Sequence, residues 1–546
     1  MEEGGEPVAH GDRPRENSLH ESADDPIRVR RYRRHAHTGG VSGNLREVDS
    51  VIDESTLSKD TQTLARFGYR QELLRRMGGF SNYAISLSII CILAGGITSF
   101  HLGFAAAGGA GIALGWPLGT LLAIGFAATM AQVASAFPTA GGLYHWASIL
   151  GGRGWGWLTA WLNLFGLVTV LGAINVGTYL FITGAMLPSL GVDLSTLSEP
   201  ARFWLQIGGV AVITGSQALI NHVGIRATTR LTDFSGVLIL VVAVVLTVSL
   251  LVAAPSLDLS RLVRFTNYSG LPTSAPVWPR GESTAWLFLL GLMLPAYTIT
   301  GFDASAHTAE ETVNAAHNAP RGILRSVLMS GIFGWAMLCA IVLAMPDLDA
   351  AAQQGDRVVV WTISSVLPAS FAALLFVGIA VAQYLCGLAT VTSASRMMFA
   401  FARDGGLPFS TKIRRVSPTR RVPVTAIWLT CVLAIAFTLY TPVYSTITSV
   451  SVIFLYLSYL MPTVLGLRAY GRTWTTFGPW TLGVHFRWMA CVCVVGIVLL
   501  LVIGVQPPNG KALGIIVGAG LLAAVTWYGG ERRRFVGPPA VKPPTA

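Results

Sequence analysis

One carboxylate in this 546-residue chain stands within an apolar run and away from its interfaces, Asp303. An ionised side chain in hydrocarbon is costly unless it is paired or protonated, so an acid kept there is read by default as part of an ion or substrate pathway. From Met77 through Val192 there is no acidic residue at all. The alternative for Asp303 is a hydrated place in the mouth of a shortened helix. Immediately before it runs Pro295-Ala-Tyr297-Thr298-Ile299-Thr300-Gly301. The proline removes a backbone donor, and the Thr/Gly cluster lets the chain leave helical geometry. A second interruption, Ala94-Gly95-Gly96-Ile97-Thr98, lies in the middle of another apolar run. Unwound backbone offers free N–H and C=O groups, which suits a small solute with a charge at each end. Small residues for helix packing are the other explanation of each interruption.

Other chemistry is sparse. Thr390 and Thr392 could face unwound carbonyls as a cation site, or bond their own helix. The six cysteines lie in apolar runs without a CxxC pair and read as small core residues, with no disulfide framework or metal site. His20 and Asp25 have the HxxxxD spacing of some acyltransferases, a chance match in a polar tail. No HExxH, P-loop or dinucleotide fingerprint occurs, so an enzyme is not expected and no cofactor is implied. A single buried acid offers no ring for a channel.

The elements that must position these residues are membrane spans. Apolar residues make up 52% of the chain and charged residues 12%, against about 25% charged in soluble domains; mean hydropathy is +0.58. Twelve apolar runs fall near 81–104, 115–136, 154–186, 203–221, 233–253, 284–304, 323–345, 366–392, 422–440, 444–466, 488–506 and 511–530. An even number places both tails on one side. With the tails in the cytoplasm, 32 of the 38 Lys/Arg lie inside, leaving only Arg202, Arg261, Arg264, Arg280, Arg357 and Lys511 outside. The net charge of +11 therefore reflects topology rather than nucleic acid. Trp155, Trp157 and Trp161 read as an interfacial belt, and Glu310, Glu311, Arg321 and Arg325 as a charged cytoplasmic loop. Residues 1–76, with 13 Lys/Arg and 14 Asp/Glu and no apolar stretch, are expected to be a disordered cytoplasmic tail. Within it the basic string Arg28–Arg34 reads as a solvated positive-inside segment, with anionic lipid binding as the other possibility. The transmembrane domain is expected over 77–530 and a short cytoplasmic tail over 531–546. The interrupted runs are the first and the sixth, corresponding positions in two sets of five, which is the sequence pattern of an inverted-repeat transporter.

Several strings resemble the amino acid–polyamine–organocation superfamily. They are Ala136-Phe-Pro-Thr-Ala-Gly-Gly-Leu-Tyr144-His-Trp146, Tyr297-Thr-Ile-Thr-Gly-Phe-Asp-Ala-Ser-Ala-His307 with Ala309-Glu-Glu-Thr312 and Ala319-Pro-Arg-Gly322, and Ser393-Ala-Ser-Arg396 with Phe401-Ala-Arg-Asp-Gly-Gly-Leu-Pro408. Within the superfamily the chain is similar to the amino acid/choline transporter branch, which includes GABA and choline permeases. The resemblance covers about residues 66–530. It implies an all-α integral membrane protein of about twelve transmembrane helices, a 5+5 inverted repeat with interrupted helices 1 and 6 plus two C-terminal helices. It also implies alternating access for a small amine-bearing solute at the plasma membrane, driven by H+, Na+ or exchange.

The family's first-span motif is Gly-x-Gly, where this chain has Ala94-Gly95-Gly96. By the resemblance, the substrate carboxylate meets the N–H groups of Gly95, Gly96 and Ile97. The amine meets carbonyls near Cys91 and at Tyr297, Thr298 and Thr300, with Tyr297 as the gating aromatic and Ile299 and Gly301 in the same unwound stretch. A lysine common midway along span 5 is replaced here by Ile239. Two substrates follow: a GABA-like zwitterion, or choline or another organic cation held in an aromatic cage, for which Tyr297, Trp286 and Trp335 are available.

Overall fold

The computed structural model describes residues 54–192, 194, 197–440 and 444–539. The basic string 28–34 and the His20/Asp25 pair lie outside the described residues. Among the described residues ten helices are long and apolar enough to cross a membrane; with the shorter Thr284–Thr298 and Val424–Tyr440 they occupy the twelve expected places. The chain is an all-α, multi-pass membrane protein.

Span 1 is split into Gly79–Ile90 and Gly95–Thr98, continuing as Phe100–Ala113. The break comes four residues before the glycine pair. Cys91 ends the first half at φ 26, a region that a residue with a side chain enters at a cost of about 1–3 kcal/mol. Its carbonyl then accepts from Ala94 N (2.8 Å) and Gly95 N (3.0 Å), so the second half starts at Gly95. Span 6 is split into Thr284–Gly291 with Met293–Thr298, and Ala304–His307. Its turning residue is Gly301, at φ +83.

The remaining spans are Gly115–Ala136, Arg153–Phe181, Glu199–Val223, Ile225–Ala253, Ala315–Ala344, Ala369–Arg403, Val424–Tyr440, Tyr444–Ala469, His485–Gly504 and Gly510–Thr526, numbered 2–5 and 7–12. Packing is reciprocal between the halves. Span 1 lies on span 7 and span 6 on span 2; span 3 lies on span 10 and span 5 on span 8. Spans 3 and 8 also pack on each other, so the two broken spans are held inside a cradle that is far more buried than span 12, which packs mainly on span 10.

Two sequence expectations change in the described parts of the terminal segments. Residues 54–76 are not an unstructured tail: they form helix Glu54–Arg66 and a strap with Leu64, Phe67, Tyr69 and Leu73 buried. Met77 then donates to Glu311 O (2.8 Å), and Val313 donates to Met77 O (2.9 Å). Mean composition hides these few apolar residues, which find a surface only after the spans assemble. At the other terminus Phe535 is buried beside Tyr144 and Phe401. The expected aromatic belt is also divided: Trp155 is exposed, but Trp157 is buried and packs on Trp161 and Trp527.

Candidate substrate and coupling site

The breaks in spans 1 and 6 share one cavity, lined from span 1 by Ile89, Ile90, Ala94, Gly95 and Thr98 and from span 6 by Tyr297, Thr298 and Thr300. Spans 3, 8 and 10 close it with Val170, Ile174, Gly177, Gln383, Cys386 and Tyr444. Its empty space, counting that open to solvent, is about 340 Å³, and only about 20 Å³ admits the centre of a water molecule. That is room for one water, so the spans are closed around the site.

Backbone accounting gives the cavity two kinds of polar end. The first N–H groups of a helix have no intrahelical acceptor and point back along its axis. In the second half of span 1 the N–H groups of Gly96 and Ile97 donate to no backbone carbonyl among the described residues, leaving partial positive charge at the break. On the other side, carbonyls freed from the ladder are partly taken up by span 8. Gln383 Nε2 donates to Leu93 O (3.3 Å) and Cys386 Sγ to Ile89 O (3.2 Å).

Of the residues expected at the site, Ala94, Gly95, Tyr297, Thr298 and Thr300 line the cavity. Cys91, Gly96, Ile299 and Gly301 do not. A Cβ on Gly96 would face Leu338 and Met337 of span 7 in ordinary contact. Gly301 instead donates its N–H to Tyr459 Oη (3.0 Å), and Ile299 O accepts from Tyr456 Oη (3.4 Å). Ile97 lines a second cavity, of about 570 Å³ of empty space on the same measure, that also touches Asp356 and Arg357. Thr98, Gly177 and Tyr444 border both cavities and so form the partition. Tyr444 Oη lies 2.8 Å from Thr98 Oγ1 and donates to Tyr297 Oη at 3.4 Å, with the two tyrosine rings nearly perpendicular.

The hydroxyls of Thr390 and Thr392, expected as a possible cation site, do not donate to span 1 carbonyls. Thr390 Oγ1 donates to Cys386 O of its own helix, and Thr392 Oγ1 to Asn221 Oδ1 (2.7 Å) and Leu388 O. Nor do Trp286 and Trp335 form a cage with Tyr297: both are well exposed, and Trp335 Nε1 donates to Ala113 O.

Asp303 is fully buried, not hydrated in a mouth. Its carboxylate accepts from Tyr459 Oη at 2.9 Å and Asn163 Nδ2 at 3.2 Å, and meets His307 Nε2 at 3.0 Å. The adjacent end, away from Tyr444, is held by polar contacts between the broken spans. Asn82 Nδ2 donates to Ser305 O (2.9 Å) and Thr312 Oγ1 (2.9 Å), and Ser86 Oγ to Phe302 O (2.9 Å).

Glu310 and Glu311 are a further correction: neither lies in a solvated loop. Both are buried, Glu311 in a two-bonded pair with Arg396 (2.9 and 2.9 Å) and Glu310 with Arg403 (3.1 and 3.0 Å). Two parallel N–H···O bonds satisfy each carboxylate, which is what permits its burial. Tyr69 of the strap lies over the Arg403 guanidinium at 3.7 Å and donates to Asp404 Oδ2 (2.7 Å), as does Tyr144 (2.8 Å). Burial raises the pKa of the Asp404 carboxyl, against the lowering pull of Arg403 and the two hydroxyls.

Sequence reasoning missed Asn163, His307, Gln383, Tyr444 and Tyr459. A signal existed for the first three, each a polar residue within an apolar run. For the tyrosines, whose rings suit any apolar face, there was none.

A sequence model described as amino acid permease matches residues 77–524, most of the chain. The chain belongs to the amino acid permease family. This permease is 31% identical over 503 residues to amino-acid permease BAT1 of Arabidopsis thaliana, covering 87% of this chain and 95% of that one. A homologue of BAT1 in Oryza sativa is similar to it at the same identity, over 87% and 94%. The GABA-specific permease of Saccharomyces cerevisiae is 28% identical over 414 residues, 72% of this permease and 70% of the yeast protein. The permease is therefore an amino acid transporter, and its polar cavity between two broken spans lies within the matched region.

Proposed function

We propose that this permease moves a zwitterionic amino acid of the GABA type across the plasma membrane by alternating access, with both termini cytoplasmic. The observation that carries the reading is the shared cavity of spans 1 and 6, lined by Ala94, Gly95, Thr98, Tyr297, Thr298 and Thr300, next to which the N–H groups of Gly96 and Ile97 donate to no backbone carbonyl among the described residues. The substrate carboxylate docks on those N–H groups, and its amine on carbonyls of the span 1 and span 6 breaks. The unequal closure of the two ends supports alternating access: one side is closed by the Tyr444–Thr98 partition, the other by the Asn82 and Ser86 bonds and the buried ion pairs. The basic skew toward the tails supports their cytoplasmic placement. Asp303, buried just past the span 6 break, couples substrate movement to H+ or Na+.

Counterflow in proteoliposomes tests the substrate. Vesicles loaded with an unlabelled amino acid should take up labelled GABA or a related amino acid against its gradient. A chain that exchanges choline or simple amines better than every amino acid offered would overturn the zwitterion reading.

A further inference from the structure

The loop between spans 8 and 9 gathers positive charge. Lys412, Arg414, Arg415, Arg420 and Arg421 stand within ten residues, and no acidic residue occurs between Asp404 and Glu531. All five are exposed, and none forms an ion pair among the described residues. A basic loop is ordinary in a membrane protein, but this one surrounds a cavity. Arg414 and Arg415 line about 1380 Å³ of empty space, counting that open to solvent, together with Arg403, Thr411, Ser417 and Thr425. Glu72 of the strap adds one exposed carboxylate to the lining.

Three features suit the cavity to an anion. The first is Arg403, whose side chain is only 9% exposed. Its two Nη atoms hold Glu310, while its Nε is buried without a hydrogen-bond partner among the described residues. A buried donor left open on a cation is costly until an acceptor reaches it. The second is the start of span 9, a 17-residue helix whose Val424 and Thr425 line the cavity. The N–H groups of Thr425 and Ala426 donate to no backbone carbonyl among the described residues, so the helix presents its partly positive end there. The third is the pair Arg414 and Arg415, whose planar guanidinium groups match phosphate oxygens two at a time. The loop is also held in place: Arg420 Nη1 donates to His222 O at the end of span 4 (3.1 Å), and Trp428 Nε1 to His222 Nδ1 (3.2 Å).

We propose that this cavity binds the phosphate headgroup of an anionic membrane phospholipid. A basic pocket between the ends of two spans is placed to meet headgroups. Its surroundings fit a lipid better than a soluble anion. Phe409 in the loop is 76% exposed, at φ 56, and Trp428 is 38% exposed one turn into span 9; aromatic residues of this kind favour the headgroup level. Farther along span 9, Val432 and Leu433 are exposed to the acyl region. Because Arg403 also holds Glu310, a headgroup on its Nε joins the lipid to one of the buried pairs that close this end of the bundle.

The test uses the full solubilised chain, with short-chain phosphatidylglycerol, short-chain phosphatidylcholine or inorganic phosphate added over a concentration series. A ligand of the folded state raises the thermal unfolding midpoint in step with its concentration. Phosphatidylglycerol should do so at concentrations about ten-fold below those needed for phosphatidylcholine, and native mass spectrometry should show one retained phosphatidylglycerol. Arg414→Gln combined with Arg415→Gln should weaken the response about five-fold for each arginine removed. Arg532→Gln with Arg533→Gln removes the same charge from exposed positions outside the cavity and should leave the response within about two-fold. If the double glutamine variant does not fold, Arg414→Lys with Arg415→Lys keeps the charge but not the paired donors, and a weaker response is again expected. Equal responses to the two lipids, an equal loss in the Arg532 and Arg533 variant, or an unchanged response in the Arg414 and Arg415 variants would overturn the proposal. A rise with inorganic phosphate matching that with phosphatidylglycerol would assign the cavity to a soluble anion and overturn the lipid reading.

Discussion

Gly95 lies against Thr298 so closely that a Cβ on the glycine would be 2.9 Å from the threonine Cα, and Gly301 lies in the same way against Ile89, at 2.2 Å from its Cγ2. Each broken span thus offers a glycine to the other. The broken spans pack with no room for a side chain at either glycine, and both spans line the one cavity. This contact also separates the two glycines of span 1, which look equivalent in sequence. Only Gly95 is at the contact; Gly96 faces span 7.

Gly95→Ala should therefore abolish amino acid uptake, because backbone on span 6 has no room to yield. Gly96→Ala should keep uptake within about two-fold, its Cβ meeting flexible side chains at ordinary distance. Initial uptake rates, corrected for protein in the membrane, check both.

If the substrate carboxylate docks on the Gly96 and Ile97 N–H groups as proposed, removing it leaves them unpaired, a loss of about 1–3 kcal/mol. Amine-only analogues should compete about 5- to 150-fold less well than the parent amino acid. Inhibition of labelled uptake over a concentration series measures it.

Tyr444→Phe keeps the ring in the partition between the two cavities but removes the hydroxyl between Thr98 and Tyr297. With about 0.5–1.5 kcal/mol lost per net hydrogen bond, the closed state weakens and KM should rise several-fold. Tyr444→Ala, which opens the partition, should have a much larger effect. Uptake kinetics at several substrate concentrations distinguish the two.

Asp303→Asn removes titration while preserving size. Gradient-driven accumulation should fall to equilibrium, while exchange of labelled for unlabelled substrate continues. Accumulation equal to wild type would show that the buried carboxylate is structural.

Glu311→Ala would leave the Arg396 guanidinium buried and unpaired, a cost of about 3–5 kcal/mol. Thermal unfolding of the solubilised protein should show a clear drop in midpoint, and replacing both partners with apolar residues should restore much of it.

The membrane architecture was legible in the sequence because lipid imposes one rule everywhere: a span must be apolar and must satisfy its own backbone. That rule marked twelve spans, and its local violations marked the breaks in spans 1 and 6 and the isolated acid Asp303. The sequence also identified the lining residues Ala94, Gly95, Tyr297, Thr298 and Thr300. The tertiary structure decided what depends on rotation about a helix axis and on partners far away in the chain. It turned Gly96 outward, gave Thr392 to Asn221 and drew Tyr444 and Tyr459 onto the breaks. Glu310 and Glu311 show the reason most plainly. As a local sequence they read as solvated charge, and they are buried only because Arg403 and Arg396, 93 and 85 residues later, supply paired donors that no local pattern reveals.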